Sequence, residues 1–312
     1  MSLNRFDKNR RKGGFLYEVQ NIEVKYALKV QKGEKRMKIK EVQELLQANP
    51  TTEQLQELEL DTRVGVQKLL ATYKKRLVKE AEERIRFEKM LAFEKRCYKE
   101  SAHYVAGVDE AGRGPLAGPL VIAAVILPQN VFISGLNDSK QLSHNKREQL
   151  YDAILANAIA IEVNIVSVSN IDNVNIYNAT QNGMKEVIEA LHIKPDVALI
   201  DAMPVASESI RTISIVHGDA LSASIAAASV IAKVTRDRIM ERIDACYPEY
   251  GFASNKGYGS GAHMQAVLSK GATCWHRRSF EPVKSMGLAP LSHEDNILYS
   301  PLLDEYEYTV NR

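Results

Sequence analysis

From Met37 onward, apolar positions recur at helical spacing. Ile39, Val42, Leu45 and Leu46 share a face, and Asn49-Pro50 stops the run. Thr51 followed by Gln54 reads as a capping box and opens a second helix. A third is predicted over 62–99, where Leu69, Leu70, Tyr73 and Leu77 lead into a charged stretch ending in Phe87, Met90, Leu91 and Phe93. Such charges more often form a solvated helix face than a binding surface. From residue 101 the period changes. Short apolar or alternating runs at 104–109, 120–127, 161–168, 197–201 and 212–216 predict five strands. Helical patterns fall at 143–157, 171–192, 219–245 and 261–270. Strands followed by strand–helix units predict an α/β fold: a mixed five-stranded sheet flanked by helices, with an α-helical N-terminal extension. Beyond Phe280 the chain is rich in proline, serine and acids and is expected to be irregular.

This divides the chain into a basic extension (1–36), a helical region (37–100), an α/β domain (101–285) and an acidic C-terminal tail (286–312). The extension has no clean period. It ends Lys32-Gly33-Glu34-Lys35-Arg36, just before Met37. Two readings stand side by side. It is an ordinary basic arm, or it is a translated ribosome-binding sequence, since AAAGGAGA encodes Lys-Gly-Glu, and Met37 is the native start. N-terminal sequencing of the native protein separates them.

Composition narrows the class. Of 312 residues, 45% are hydrophobic and 26% charged, which fits a globular protein and excludes disordered, collagen-like and disulfide-rich classes. Cys97, Cys246 and Cys274 are scattered, with no Cys-x-x-Cys, so neither a disulfide framework nor a thiolate zinc site is expected, and a reducing cytoplasm fits. The longest apolar run, 116–127, is broken by Gly118 and Pro119 and falls short of the about 20 residues that span a membrane. Phe15-Leu16-Tyr17 is too short for a signal-peptide core. The net charge of +2 conceals a split. Residues 1–100 hold 24 Lys and Arg against 16 Asp and Glu, and the remainder hold 17 against 23. The basic front suggests a polyanionic partner. The acidic rear calls for its own explanation.

Acids at strand ends supply one. Gly107-Val108-Asp109-Glu110-Ala111-Gly112-Arg113-Gly114 places two acids at the end of an apolar strand, followed by glycines and an arginine. Glycines let a backbone approach a ligand, and arginine is a usual phosphate partner. No P-loop pattern is present. Asp201 closes the strand Val197-Ala198-Leu199-Ile200. Asp219 precedes a long helix, where alone it would read as an N-cap. Four acids at one sheet edge cannot all stay ionised without compensation, and hard divalent cations supply it. Two such ions suit in-line phosphoryl displacement.

The stretch from Tyr104 through Gly112-Arg113-Gly114-Pro115-Leu116-Ala117-Gly118-Pro119 resembles the opening of the type 2 ribonuclease H family, bacterial ribonuclease HII. Asp138-Ser139-Lys140-Gln141-Leu142-Ser143, the strand ending at Asp201, Gly218-Asp219 running into Ala226–Asp237, Lys256-Gly257-Tyr258-Gly259 and His276-Arg277-Arg278-Ser279-Phe280 follow in the family's order. The resemblance covers about 101–285. It implies a ribonuclease H-like fold and Mg2+- or Mn2+-dependent endonucleolysis, with a two-metal site. The implied partners are RNA–DNA hybrids and DNA duplexes containing ribonucleotides. The cut falls 5′ to the ribonucleotide and leaves 3′-hydroxyl and 5′-phosphate ends. The resemblance further implies roles in ribonucleotide excision repair and DNA replication, carried out by a cytoplasmic monomer with no membrane partner.

Carried over by position, Asp109, Glu110, Asp201 and Asp219 are the metal-binding catalytic carboxylates. Gly112-Arg113-Gly114 reads the ribose 2′-hydroxyl, largely through backbone groups, and Tyr258 stacks on the sugar of the next deoxynucleotide. Among the basic residues near these motifs (Lys146, Arg147, Arg236, Arg238, Lys256, Arg277 and Arg278 included), Lys140 and Lys233 are favoured as phosphate contacts. Arg277-Arg278 is equally read as a brace for the acidic tail. The seven histidines form no His-x-x-x-His pair and read as structural or surface residues. The intact Gly-Arg-Gly favours ribonuclease HII over ribonuclease HIII, which would cleave only longer hybrids. A non-catalytic nucleic-acid-binding module working through 37–100 is the alternative of another class.

Overall fold

The computed structural model describes residues 36–291. The basic stretch before Arg36, with both readings of it, and the tail from 292 onward lie outside the described residues. The chain forms two compact units that divide between Glu83 and Arg84. Among the described residues no helix is long and apolar enough to cross a membrane.

The first unit is helical: α1 (Ile39–Gln47), α2 (Thr52–Leu60) and the greater part of α3 (Val64–Met90). Its core is Val42, Leu46, Leu58, Val66, Leu70 and Tyr73. The capping box opens α2, with the Gln54 N–H donating to Thr51 Oγ1 at 3.3 Å and the Thr51 N–H to Gln54 Oε1 at 2.8 Å.

The second unit begins in the last turns of α3. Then follow α4 (Ala92–Lys99), β1 (Val105–Ala111), β2 (Leu120–Ile126), α5 (His144–Asn157), β3 (Ala160–Val166), α6 (Val168–Val174), α7 (Ile176–Ala190), β4 (Val197–Asp201) and β5 (Arg211–Ile215). After these come α8 (Gly218–Leu221), α9 (Ala223–Cys246), α10 (Phe252–Asn255) and α11 (Gly261–Lys270). The strands form one mixed sheet in the order β3-β2-β1-β4-β5. β1 pairs antiparallel with β2 and parallel with β4. The expected five-stranded sheet flanked by helices is present.

Both faces of the sheet are covered, which is why β2 is an unbroken buried apolar run rather than an alternating one. α9 crosses one face. It presses so closely on β1 that a Cβ on Gly107 would lie 2.0 Å from the Ser224 carbonyl carbon. α7 covers the other face through Met184, Val187 and Ile188, which pack with Ile122 and Val108.

Three predicted helices are broken. The helix expected over 62–99 stops at Met90 and resumes at Ala92. The one expected over 171–192 is cut at Asn175, which adopts φ 68° and accepts the Asn178 N–H on its side chain. With ψ 161° this is a backbone conformation that residues other than glycine rarely adopt, and the side-chain cap is what asparagine supplies there. The third break, at Ser222, bears on the site.

Candidate active site

β1 runs farther than the sequence pattern suggests, to Ala111, so Asp109 and Glu110 lie inside the strand. The parallel register pairs Val108 with Ile200. One step further along, Asp109 and Asp201 stand side by side. Strand alternation turns Asp109 toward the α9 face and Glu110 to the other side. Asp219 reaches the cluster from α8. The N-cap reading fails for Asp219 because Ser222 performs that role, accepting the Ile225 N–H at the start of α9. That leaves the Asp219 carboxylate available.

One oxygen from each of Asp109, Asp201 and Asp219 lies within 4.8 Å of the others. Asp109 Oδ1 accepts the Glu110 N–H at 2.7 Å, and Asp201 Oδ1 accepts the Gly218 N–H at 2.7 Å. Lys140 Nζ donates to Asp219 Oδ2 at 3.0 Å. Glu110 lies outside the three-carboxylate group and instead meets the Arg113 Nη1 at 3.5 Å through Oε1. Its Oε2 is buried with no hydrogen-bond partner.

The cluster is electrostatically strained. Burial, then the charges of Glu110 and Asp201, hold the Asp109 carboxyl well above the usual carboxylate range. Burial also raises Glu110 and Asp201, against the opposing Arg113 and Gly218 contacts respectively. Burial alone would depress the Lys140 ammonium, but its bond to Asp219 and the surrounding carboxylates outweigh this and raise it. A cluster of carboxylate oxygens held together against their own repulsion, beside an orphaned glutamate oxygen, fits a hard divalent cation.

The two favoured lysines separate. Lys140 is at the cluster. Lys233 is not: its Nζ pairs with Asp237 Oδ1 at 2.6 Å, one turn along α9. Arg236 and Arg277 are buried at 1% and 0% exposure, so neither is available to a phosphate at the surface. Arg277 braces the glycine loop through the Gly112, Arg113 and Gly118 carbonyls. Arg236 is bonded to the Ala117, Pro119 and Lys256 carbonyls. Tyr258 is 49% exposed, and its Cε1 lies 3.7 Å from where a Cβ on Gly114 would be.

Sequence reasoning missed a buried histidine pair beneath Tyr258. The Thr273 N–H donates to His276 Nδ1 at 2.9 Å, so the His276 proton is on Nε2. It is donated to His263 Nε2 at 3.0 Å, and His263 in turn donates from Nδ1 to the Tyr258 carbonyl at 2.8 Å. The two histidines are 13 residues apart on different elements, which leaves no local signal. Burial depresses both, His276 to about 3. In the unfolded chain each protonates below pH about 6.5. Unfolding therefore takes up protons between about 6.5 and 3. The pair's contribution to stability is complete above that window and is lost as pH falls through it. His276→Gln is expected to flatten the pH dependence of urea-unfolding stability between pH 6.5 and 4 by about 1.4 kcal/mol per pH unit. An unchanged slope contradicts the neutral-pair assignment.

Residues 106–283 match the family model described as ribonuclease HII, and residues 38–98 match that of the ribonuclease HII N-terminal domain. The chain is 47% identical to the ribonuclease HII of Ligilactobacillus salivarius over 251 residues, which is 80% of this chain and 98% of that one. It is 49% identical to that of Bacillus cytotoxicus over 250 residues, 80% of this chain and 96% of the other. The crystal structure of ribonuclease H2 from Pyrococcus horikoshii superposes with a TM-score of 0.52 at 29% identity, covering 59% of this chain and 96% of that chain. The chain belongs to the ribonuclease HII family and is a ribonuclease H, a hydrolase.

Proposed function

We propose that this ribonuclease H is a divalent-metal-dependent endonuclease. It cleaves the RNA strand of RNA–DNA hybrids and cuts 5′ to single ribonucleotides embedded in duplex DNA, leaving 3′-hydroxyl and 5′-phosphate ends. The observation that carries the reading is the convergence of Asp109, Asp201 and Asp219 oxygens within 4.8 Å, directly beside a glycine-rich turn.

Asp109, Asp201 and Asp219 would hold Mg2+ or Mn2+, with Glu110 supplying a further oxygen from the neighbouring position. When bound, a divalent pair supplies nucleophile activation and leaving-oxygen stabilisation for in-line displacement. The remaining work belongs to the chain. Lys140 places an ammonium at Asp219 and offers a positive charge to the phosphate backbone. Arg113 balances Glu110 at the mouth of the turn. Gly112-Arg113-Gly114 leaves backbone uncovered for a ribose 2′-hydroxyl, the group that separates RNA from DNA at a site. The half-exposed Tyr258 ring stands beside that turn for the sugar of the next deoxynucleotide.

Catalysis is assigned to 101–285, with 37–100 as a helical extension. We read the enzyme as a monomer, as its resemblance to ribonuclease HII implies. Its chemistry suits ribonucleotide excision repair and DNA replication in the cytoplasm. The test is cleavage of a duplex carrying one ribonucleotide, with Mg2+ and with chelator, and chemical identification of the new ends. Cleavage only of longer hybrids would instead indicate ribonuclease HIII-like specificity.

A further inference from the structure

The Gly112–Pro119 turn is held from beneath by two buried guanidinium groups. Arg277 donates from Nε to the Gly118 carbonyl at 3.1 Å, from Nη1 to that of Arg113 at 2.9 Å, and from Nη2 to those of Gly112 and Gly118 at 2.5 and 2.9 Å. Arg236, on α9, donates from Nε to Pro119, from Nη1 to Lys256 and from Nη2 to Ala117, at 3.0, 2.9 and 3.0 Å. The second set joins the glycine turn to the loop that carries Tyr258. The joint is tight: a Cβ on Gly112 (φ 102°) would lie 2.1 Å from Arg236 Nε, and one on Gly257 (φ 82°) 2.2 Å from the Ala117 oxygen.

The direction of these bonds has a consequence. In a trans peptide the C=O and the following N–H point in opposite directions. Arg277 draws the Gly112 and Arg113 oxygens inward, so the N–H groups of Arg113 and Gly114 are turned away from it. Neither donates to another described residue. Pro115 has no N–H, so the series of donors ends there. The turn thus presents two adjacent donors beside the Tyr258 ring, suited to a hydroxyl oxygen that can accept from both.

We propose that Arg277, supported by Arg236, is a positioning residue for ribose selectivity: by fixing the 112–113 and 113–114 peptide planes from below, it aims the Arg113 and Gly114 N–H groups at a ribonucleotide 2′-hydroxyl. This rests on the substrate reading of the preceding subsection. Arginine suits the role because its planar fork offers five donors in fixed directions and stays charged when buried. A lysine in the same place has a single ammonium, which reaches fewer carbonyls and loses its proton readily when desolvated.

The test is equilibrium binding in chelator, where no turnover occurs, using fluorescence anisotropy with two duplexes of one sequence. One carries a single ribonucleotide and the other is all DNA. Arg277→Lys is expected to lower the preference for the ribonucleotide duplex about tenfold, the loss of roughly one well-aimed hydrogen bond. Affinity for the all-DNA duplex is expected to stay within about twofold, the scale of a contact not made. A purely structural role would leave the preference unchanged while lowering the melting temperature or both affinities, and that result overturns the proposal. If wild type shows no preference, the substrate reading fails instead, and the wild-type arm alone reveals it.

Should Arg277→Lys not fold, hydrogen exchange on wild type decides. The Arg113 and Gly114 amides are expected to exchange freely in the unliganded protein and to slow with the ribonucleotide duplex but not with the all-DNA one. Amides already protected in the free protein, or slowed equally by both duplexes, would refute the assignment.

Discussion

Asp109→Asn is expected to abolish cleavage and, at the same time, to make the metal-free protein more stable. Asp109 is buried beneath α9, with its carboxyl held well above the usual carboxylate range by burial and by Glu110 and Asp201. Asparagine keeps an Oδ1 for the Glu110 N–H, bonded at 2.7 Å in the wild type, and removes the carboxyl whose ionisation burial and the neighbouring acids oppose. Relief of that repulsion is worth about 1–2 kcal/mol in urea unfolding with chelator present, the usual scale when an active-site compromise is undone. Cleavage is expected to fall by about three orders of magnitude, on the order of 4 kcal/mol of transition-state stabilisation. Binding of an uncleaved hybrid is expected to persist. Wild-type-like turnover would refute the metal-ligand assignment, and a loss of stability would refute the repulsion that motivates it.

The second large effect concerns the turn and the ring beside it. Gly112 and Gly114 look equivalent in the sequence but differ in space. At Gly112 a Cβ would collide with Arg236 at 2.1 Å, and φ is 102°, so Gly112→Ala is expected to destabilise the fold by at least about 2 kcal/mol. At Gly114 the nearest atom is the Tyr258 ring at 3.7 Å, an ordinary contact, so Gly114→Ala folds normally. Its methyl would stand in the path of an approaching ribose. Gly114→Ala and Tyr258→Ala are therefore both expected to retain the wild-type melting temperature. Each is expected to lose about 1–3 kcal/mol in kcat/KM on a single embedded ribonucleotide, the scale of one lost stacking contact. Losses on continuous hybrid should be smaller, because neighbouring ribonucleotides offer alternative registers. Equal losses on both substrates would count against junction sensing.

The sheet and its order of strands and helices were legible because the period of the apolar positions changes near residue 101 and because β2 is an unbroken buried run. Asp109 and Asp201 were legible as strand-borne acids. Their adjacency depends on the parallel register of β1 with β4, which local patterning does not state. Asp219 was recognised by its motif, but the local rule would have made it a cap. Only the break at Ser222 shows why it is not used as the cap.

The buried supports were the least legible. Arg236 reads as a surface charge in isolation, yet α9 is buried along most of its length, so a charge within it must be satisfied internally. The apolar run Ala226–Ala232 carries that signal one turn before Arg236. Arg277 had no such signal, since the Arg113 carbonyl it holds is 164 residues away, and the His263–His276 pair spans two elements with no local pattern. Lys233 was favoured as a phosphate contact from its position near the motif, but the i,i+4 spacing to Asp237 already indicated an intrahelical pair.

The proposal is of a junction-specific, metal-dependent nuclease built from buried carboxylates beside a turn suited to a ribose. It is tested most directly by offering the full chain a DNA duplex with one ribonucleotide alongside the same duplex in all-DNA form. With Mg2+ or Mn2+, a single cut 5′ to the ribonucleotide is predicted, with 3′-hydroxyl and 5′-phosphate ends, no cut in the all-DNA duplex and no cut in chelator. Cleavage that persists in chelator, or that falls equally on both duplexes, would contradict the account.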